Sequence, residues 1–386
     1  VSATTTLPTG NATAAERWLV RKETVLRRVR GVRLVTVLAV GGLSLALAAG
    51  CGKPPEKKAD GGSGSGGQYK ACMVTDTGGI DDHSFNASAW QGMQDAKKDD
   101  SKVAIQNTQS SSEQDYEPNL TKFVNAKCDL VIGVGGLMSD ALTKVAKANP
   151  KQKFAIIDAS VDLPNVYSMQ FNTAQPAFQA GYLAAGMSKT GKVATYGGVN
   201  IPPVTIYMDG FWEGVQYYNK AKHKNVQVLG WNEKSKKGVF ANSFTDQNKG
   251  QSLTKTFISQ GADIILPVAG GTALGTAATT VKSGGKQSTI FVDFDGCVSA
   301  KNYCSTFLTS VTKGIAAAVQ KAVEGGQQGK ALTGSYIGDL SNDGVGLAPY
   351  HDWESKVPAA LQKDVTQVGA DIKAGKITIT SGAQPK

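Results

Sequence analysis

The chain has 386 residues, enough for two α/β lobes plus an N-terminal appendage and too many for one small core. Its formal charge of +10 divides in half: residues 1–50 hold seven Lys/Arg against two Asp/Glu, which leaves +5 as lysines scattered along helical stretches of the remainder. That spread excludes a basic nucleic-acid-binding face, and the aliphatic and aromatic residues distributed after residue 68 exclude a disordered chain despite 45 glycines.

In chain order, Arg17, Arg21, Lys22, Arg27, Arg28, Arg30 and Arg33 precede an apolar run over residues 34–49 broken only by Gly41, Gly42 and Ser44. The run is short for a membrane-spanning helix and suits the core of a signal peptide, with an uncleaved anchor helix as the alternative. It ends in Leu47-Ala48-Ala49-Gly50-Cys51, which resembles a bacterial lipobox, where the cysteine becomes the first mature residue and carries diacylglycerol. Ala48 stands where Leu is commoner. Residues 1–50 are therefore expected to be a signal peptide, and Cys51 a lipidation site on the extracytoplasmic face of the membrane. Residues 51–68 are rich in Gly, Ser, Pro and Lys and have no periodicity, so they read as a flexible tether with a root-mean-square span of roughly 20–25 Å.

Four further cysteines, Cys72, Cys128, Cys297 and Cys304, form an even set suited to an oxidising compartment. Cys72 begins a strand and Cys128 immediately precedes another, while Cys297 and Cys304 share one loop. Pairs 72–128 and 297–304 are favoured over the other two connectivities, with four buried free thiols as the alternative. No histidine accompanies them in sequence, so no metal site is expected, nor any cofactor.

From residue 69 onward, short apolar runs alternate with helical patterns. Runs over 71–75, 129–134, 154–158, 192–196, 226–230, 263–269 and 290–293, bounded by Gly, Asp or Pro, read as buried parallel strands. Helices are expected over 139–148, over 176–187 and from about residue 246 to 261. With a break near residues 167–172, the strands fall into two sets. The expected architecture is α/β and two-lobed, each lobe a mainly parallel sheet flanked by helices with a ligand cleft between. Lobe 1 would comprise 69–171 plus about 299–335, and lobe 2 would comprise 172–298 plus about 336–386. Because ligands of open α/β sheets sit at the carboxyl ends of strands, Asp76, Asp158, Gly270 and Asp293, each following a strand, should surround one cavity.

The stretch Val74-Thr-Asp-Thr-Gly-Gly-Ile-Asp-Asp-His-Ser-Phe-Asn86 places three carboxylates beside a Gly-Gly turn. Carboxylates suit sugar hydroxyls, whose protons they accept, and not phosphate. Phe85 offers a ring face and Asn86 the donor and acceptor that a base edge needs. The same residues also fit a plain strand–turn–helix, with Asp capping the helix and Phe85 in the core.

This stretch, with Phe154-Ala-Ile-Ile-Asp158, Gly197-Gly-Val-Asn-Ile-Pro202, Gly210-Phe-Trp-Glu-Gly214, Gly261-Ala-Asp-Ile-Ile-Leu-Pro-Val-Ala-Gly270, Val292-Asp293 and Thr309-Ser-Val-Thr-Lys313, resembles the basic membrane protein family of lipoprotein solute receptors. The resemblance covers residues 70 to about 376. It implies a type I periplasmic-binding-protein fold that holds a purine nucleoside in its cleft and hands it to an ABC permease with its ATPase. By the same resemblance Phe85 stacks on the base with Phe244 as its opposite face, and Asn86 and Asp158 contact the base edge. Asp293, Lys313 and the Gly270 backbone contact the ribose, and Asp76 lines the same wall. Phe294-Asp295-Gly296-Cys297 departs from the family's usual Ser-Asp-Gln after the strand, which leaves the shape of that loop open.

Three other readings share these features. A free sugar could occupy the same fold, or a surface lipoprotein could sense its ligand without transport. Residues 76–82 also resemble the opening of calcium-dependent nucleoside hydrolases, but Gly-Gly stands where the metal-binding Asp is needed and the segment is one residue shorter.

Overall fold

The computed structural model describes residues 68–385. The expected signal peptide, the Cys51 lipidation site and the tether up to residue 67 lie outside the described residues. Strands β1 (Tyr69–Thr75), β2 (Val103–Gln109), β3 (Leu130–Val134), β4 (Lys153–Ile157) and β5 (Val166–Phe171) come first. They are followed by β6 (Lys192–Gly197), β7 (Gln227–Leu229), a short ribbon of β8 (Trp231–Asn232) and β9 (Lys237–Gly238), then β10 (Ile264–Val268), β11 (Ser288–Asp293), β12 (Phe307–Lys313), β13 (Gly334–Gly338) and β14 (Val345–Leu347). β3 and β10 contain no exposed residue, as expected of strands that need helices on both faces.

Two six-stranded sheets result, ordered β13-β5-β4-β3-β1-β2 and β14-β12-β11-β10-β6-β7. Pairing is parallel throughout except at β12–β14. The two orders are equivalent, so β4 and β11 hold the same place in their respective lobes, as do β3 and β10. The chain passes between the lobes after β5, after β12 and again between β13 and β14.

The helices are α1 (Phe85–Asp99), α2 (Tyr116–Asn125), α3 (Ser139–Ala148), α4 (Ala174–Met187), α5 (Pro202–Lys222), α6 (Gln247–Ser259), α7 (Ala273–Thr280), α8 (Gly296–Ser299), α9 (Ile315–Gln327) and α10 (Ala359–Lys373). α5 opens on Pro202 and Pro203, where a missing N–H leaves nothing unsatisfied. It packs closely on α4, and a β-carbon at Gly214 would overlap the Phe178 carbonyl, so only glycine permits that approach. α9 packs on α1.

One expected boundary is corrected. β12, placed by the sequence reading in the first lobe, pairs in parallel with β11 in the second sheet, from Thr289↔Phe307 to Asp293↔Thr312. Its sequence, Phe307-Leu-Thr-Ser-Val-Thr-Lys313, mixes hydroxyl side chains among apolar ones and does not read as a buried strand, although all but Thr312 are buried. The crossing to the first lobe follows Lys313, and α9 packs there. β13, at the next boundary, closes the edge of the first sheet against β5.

Disulfides join Cys72 to Cys128 and Cys297 to Cys304. The first ties β1 to the residue pair leading into its neighbour β3. The second staples the turn between β11 and β12. Chain-entropy reasoning gives about 4 kcal/mol for the longer loop and about 2.5 kcal/mol for the shorter. The expected outcome is that Cys72→Ser/Cys128→Ser loses more stability in urea titration than Cys297→Ser/Cys304→Ser; equal midpoints for all three proteins would contradict it.

Candidate functional site

Between the two sheets lies a small cavity of about 50 Å³. Asp76, Asp82, Phe85, Asn86, Gly135 and Asp158 reach it from the first lobe, and Val204, Tyr207, Phe244, Gly270, Asp293 and Lys313 from the second or from the crossing strand.

The loop after β1 builds the first wall. The buried Asp76 carboxylate accepts the Gly78 N–H at 3.0 Å and the Asn86 Nδ2–H at 2.7 Å, both on Oδ1. Gly78 must be small here, since a β-carbon would come within 2.7 Å of Asn86 Nδ2. Asp82 turns back onto the start of α1, where its two oxygens accept the N–H groups of Ser84, Asn86 and Ala87 at 2.8–3.0 Å. Asp82 thus caps the helix, while Asp76, Phe85 and Asn86 line the cavity.

Asn86 is 1% exposed, and its amide hydrogens are committed to carboxylates. Its Oδ1 has no protein partner. A buried carbonyl left unpaired costs about 1–3 kcal/mol, so this atom calls for an N–H or O–H donor from a ligand.

Lys313 Nζ lies 2.5 Å from Asp158 Oδ2, 3.5 Å from Asp293 Oδ1 and 5.0 Å from the centroid of the Phe85 ring. Burial disfavours the ammonium, but the two carboxylates outweigh it and hold Lys313 above the ordinary lysine range. Burial raises Asp158 despite the opposing pull of Lys313, and it raises Asp76 despite the Asn86 and Gly78 hydrogen bonds. Asp293 Oδ1 also accepts the Tyr207 hydroxyl at 2.6 Å, and Oδ2 accepts that of Ser84 at 2.9 Å. Asp158 and Asp293 both carry left-handed backbone, with φ of 65° and 68°, a conformation Asp tolerates better than most residues.

All eight sequence-predicted ligand residues line this one cavity: Asp76, Phe85, Asn86, Asp158, Phe244, Gly270, Asp293 and Lys313. Within it, Asn86 bonds Asp76 and Asp82, while Asp158 bonds Lys313. Sequence reasoning missed Tyr207, which sits inside α5 and reads as core, and the reach of Ser84 across the cleft. It also missed His351, whose Nε2 lies 2.7 Å from Asp295 Oδ2 beside Cys297. Among the described residues these three form the one group with metal-ligand spacing, and the Cys297 sulfur is already bonded to Cys304. Asp295 Oδ1 meanwhile caps α8 through the Cys297 N–H, so the loop that departs from the family pattern is a capped turn.

Residues 69–382 match the family described as ABC transporter substrate-binding protein, PnrA-like. The CD4+ T-cell-stimulating antigen of Listeria innocua serovar 6a is 34% identical, over 86% of this chain and 96% of its own length. The ABC transporter nucleoside-binding protein BmpA of Lactococcus lactis subsp. cremoris is 30% identical, over 90% of this chain and 99% of its own length. Among solved structures, an ABC transporter system solute-binding protein from Aeropyrum pernix K1 aligns with a TM-score of 0.72 at 24% identity, covering 82% of this chain and 94% of that one. A glucose-galactose binding protein, GanP, from Geobacillus stearothermophilus aligns at 0.53 and 15%, covering 74% and 98%. At these identities the structural likeness is one of fold.

Removing one member of a buried ion pair strands the other, typically at a cost of about 3–5 kcal/mol. Lys313→Met should therefore destabilise the protein by about that much at pH 8. Asp158 already titrates above its ordinary range, and loss of the ammonium raises it further. A carboxyl raised in the folded state contributes stability that is full at low pH and lost as pH rises through the folded value. The deficit against wild type should thus shrink as pH falls from 8 toward 5, which urea titrations at several pH values will read. A deficit that grows on acidification would contradict the pairing.

Proposed function

The chain belongs to the PnrA-like family of ABC transporter substrate-binding proteins, and from that premise we propose that its ligand is a purine nucleoside, held between the lobes without turnover and delivered to a permease. The observation that carries this reading is the composition of the cavity. Phe85 and Phe244 reach it from opposite lobes, beside the unpartnered Asn86 Oδ1, and the Lys313–Asp158–Asp293 cluster lines the same cavity. Two ring faces suit a base, and a free acceptor suits a base N–H. The carboxylates suit ribose hydroxyls, with Lys313 as the donor that can meet a hydroxyl lone pair.

Other ligand classes fit less well. A nucleotide would bring a phosphate toward four buried carboxylates and a single ammonium. A free pentose would leave the phenyl faces and Asn86 Oδ1 without partners. The nucleoside-binding name of the lactococcal relative supports the reading, and a purine follows from the resemblance of the loop at 74–86. The same reading places the protein on the extracytoplasmic face of the membrane, anchored by diacylglycerol on Cys51. Among the described residues no helix is long and apolar enough to cross a membrane.

Calorimetry with adenosine, guanosine and inosine should show binding at micromolar concentration or below, and binding of a simple pentose with no response to nucleosides would overturn the reading. Stacking on an aromatic ring contributes about 1–3 kcal/mol per base, so Phe85→Ala should weaken nucleosides roughly five- to 150-fold. Asp293→Ala should weaken nucleosides while leaving the weak binding of free bases nearly unchanged, a contrast that general misfolding does not produce. For the anchor, Cys51→Ser should abolish lipid labelling and leave the protein unprocessed or released from the membrane; normal processing with retained anchoring would exclude lipidation at Cys51.

A further inference from the structure

Ser84 occupies the N-cap position of α1, where a serine side chain ordinarily accepts a hydrogen bond from the second or third backbone N–H of the helix. It makes no such bond. Asp82 does the capping instead, through the N–H groups of Asn86 and Ala87. The Ser84 side chain is fully buried, and its hydroxyl points away from its own helix to the opposite lobe. There it lies 2.9 Å from Asp293 Oδ2 and 3.0 Å from the Val292 carbonyl oxygen, the last two residues of β11.

A hydroxyl carries one proton, so these two acceptors share it in a three-centred bond. The Asp293 carboxylate is consequently held from both sides of the cleft. Tyr207 and Lys313 engage Oδ1 from its own side, and Ser84 engages Oδ2 from the other. A carboxylate has about four lone-pair sites, so ligand hydroxyls can bind Asp293 while Ser84 remains in place. The neighbouring residue reinforces the contact: His83 adopts left-handed backbone, φ 57°, and its Nδ1 donates to the Ser299 carbonyl of the disulfide-bounded loop at 2.6 Å.

Resting on the nucleoside reading, we infer that Ser84 is a positioning residue that couples recognition of the ribose to closure of the lobes. Its bond to Asp293 exists only when the lobes are together, and it fixes the carboxylate on which the ribose hydroxyls depend. An open protein binds through residues already in place on each lobe. A closed complex gains the Ser84 contact and releases ligand only after breaking it. The effect of losing the hydroxyl therefore falls on dissociation and not on association.

Stopped-flow tryptophan fluorescence with inosine tests this on wild type, Ser84→Ala and Ser84→Gly. Glycine is a tolerated N-cap residue without a hydroxyl, so it separates the cross-cleft role from helix capping. Dissociation should accelerate about tenfold or more in both variants, the fold-change for losing a hydrogen bond to a charged group, with the association rate unchanged. Wild-type dissociation rates in either variant, or slowed association with unaltered dissociation, would overturn the coupling and leave the nucleoside reading standing. A wild-type protein that does not bind inosine, adenosine or guanosine would overturn both.

Discussion

The Lys313 ammonium sits between Asp158 of the first lobe and Asp293 of the second, with its side chain 3% exposed. Withdrawing such an ion from water costs several kcal/mol, and only close, well-directed partners offset that. The fold has to deliver both carboxylates to the ends of two different sheets, on opposite sides of a cleft. It also has to bring the lysine on the strand whose end is the crossing point between lobes. Most of what surrounds the cavity serves that requirement. Tyr207 fills a position on Asp293 that the ammonium leaves free, and the aromatic rings of Phe85, Phe171 and Tyr207 lie 5.0–5.9 Å from Lys313 Nζ, which screens it from water.

The two carboxylates reach the cleft by the same local device. β4 and β11 occupy equivalent places in their sheets, each is an apolar strand buried along its length beyond the first residue, and each leads into an aspartate with left-handed backbone. That conformation turns the chain sharply at the strand end and holds the carboxylate at the sheet's carboxyl edge. The equivalent strands β3 and β10 lead instead to glycines with positive φ, Gly135 directly and Gly270 after Ala269, which line the same cavity. Repetition of one topology thus produces facing walls of similar backbone shape, and the side chains differentiate them.

This device explains how much could be read from the chain alone. Asp76, Asp158, Gly270 and Asp293 were legible because each ends an apolar run, and such ends converge in any parallel sheet. Phe85 and Asn86 stood out by their chemistry beside the carboxylates of the loop at 74–86, whereas Phe244 and Lys313 were placed by resemblance of short motifs, since nothing in their local pattern distinguishes them from ordinary loop or strand residues. Tyr207 was invisible because an aromatic within a 21-residue helix reads as core, which it also is. Ser84 was disguised differently: a serine before a helix has a sufficient local explanation, and only the third dimension shows that Asp82 has taken over the capping. β12 was assigned to the wrong lobe because its threonines and serine satisfy their hydroxyls inside the protein, as Thr309 does on the Ala348 carbonyl, so burial there leaves no apolar signature.

The balance of charge also bears on release. With four carboxylates and one ammonium, the cavity wall offers acceptors to a ligand rich in hydroxyl and N–H protons, the class proposed above. Asn86 Oδ1 is the clearest case, having no internal substitute for a ligand donor. The cross-cleft bonds made by Ser84 and His83, by contrast, need no ligand atom. Closure is therefore partly intrinsic to the protein, and ligand shifts it only by its differential contacts with the closed state. A receptor that must surrender its cargo benefits from this division. On the proposed coupling, parting the lobes at the His83–Ser299 and Ser84–Asp293 contacts removes the support behind the Asp293 carboxylate, so opening and loss of affinity are linked.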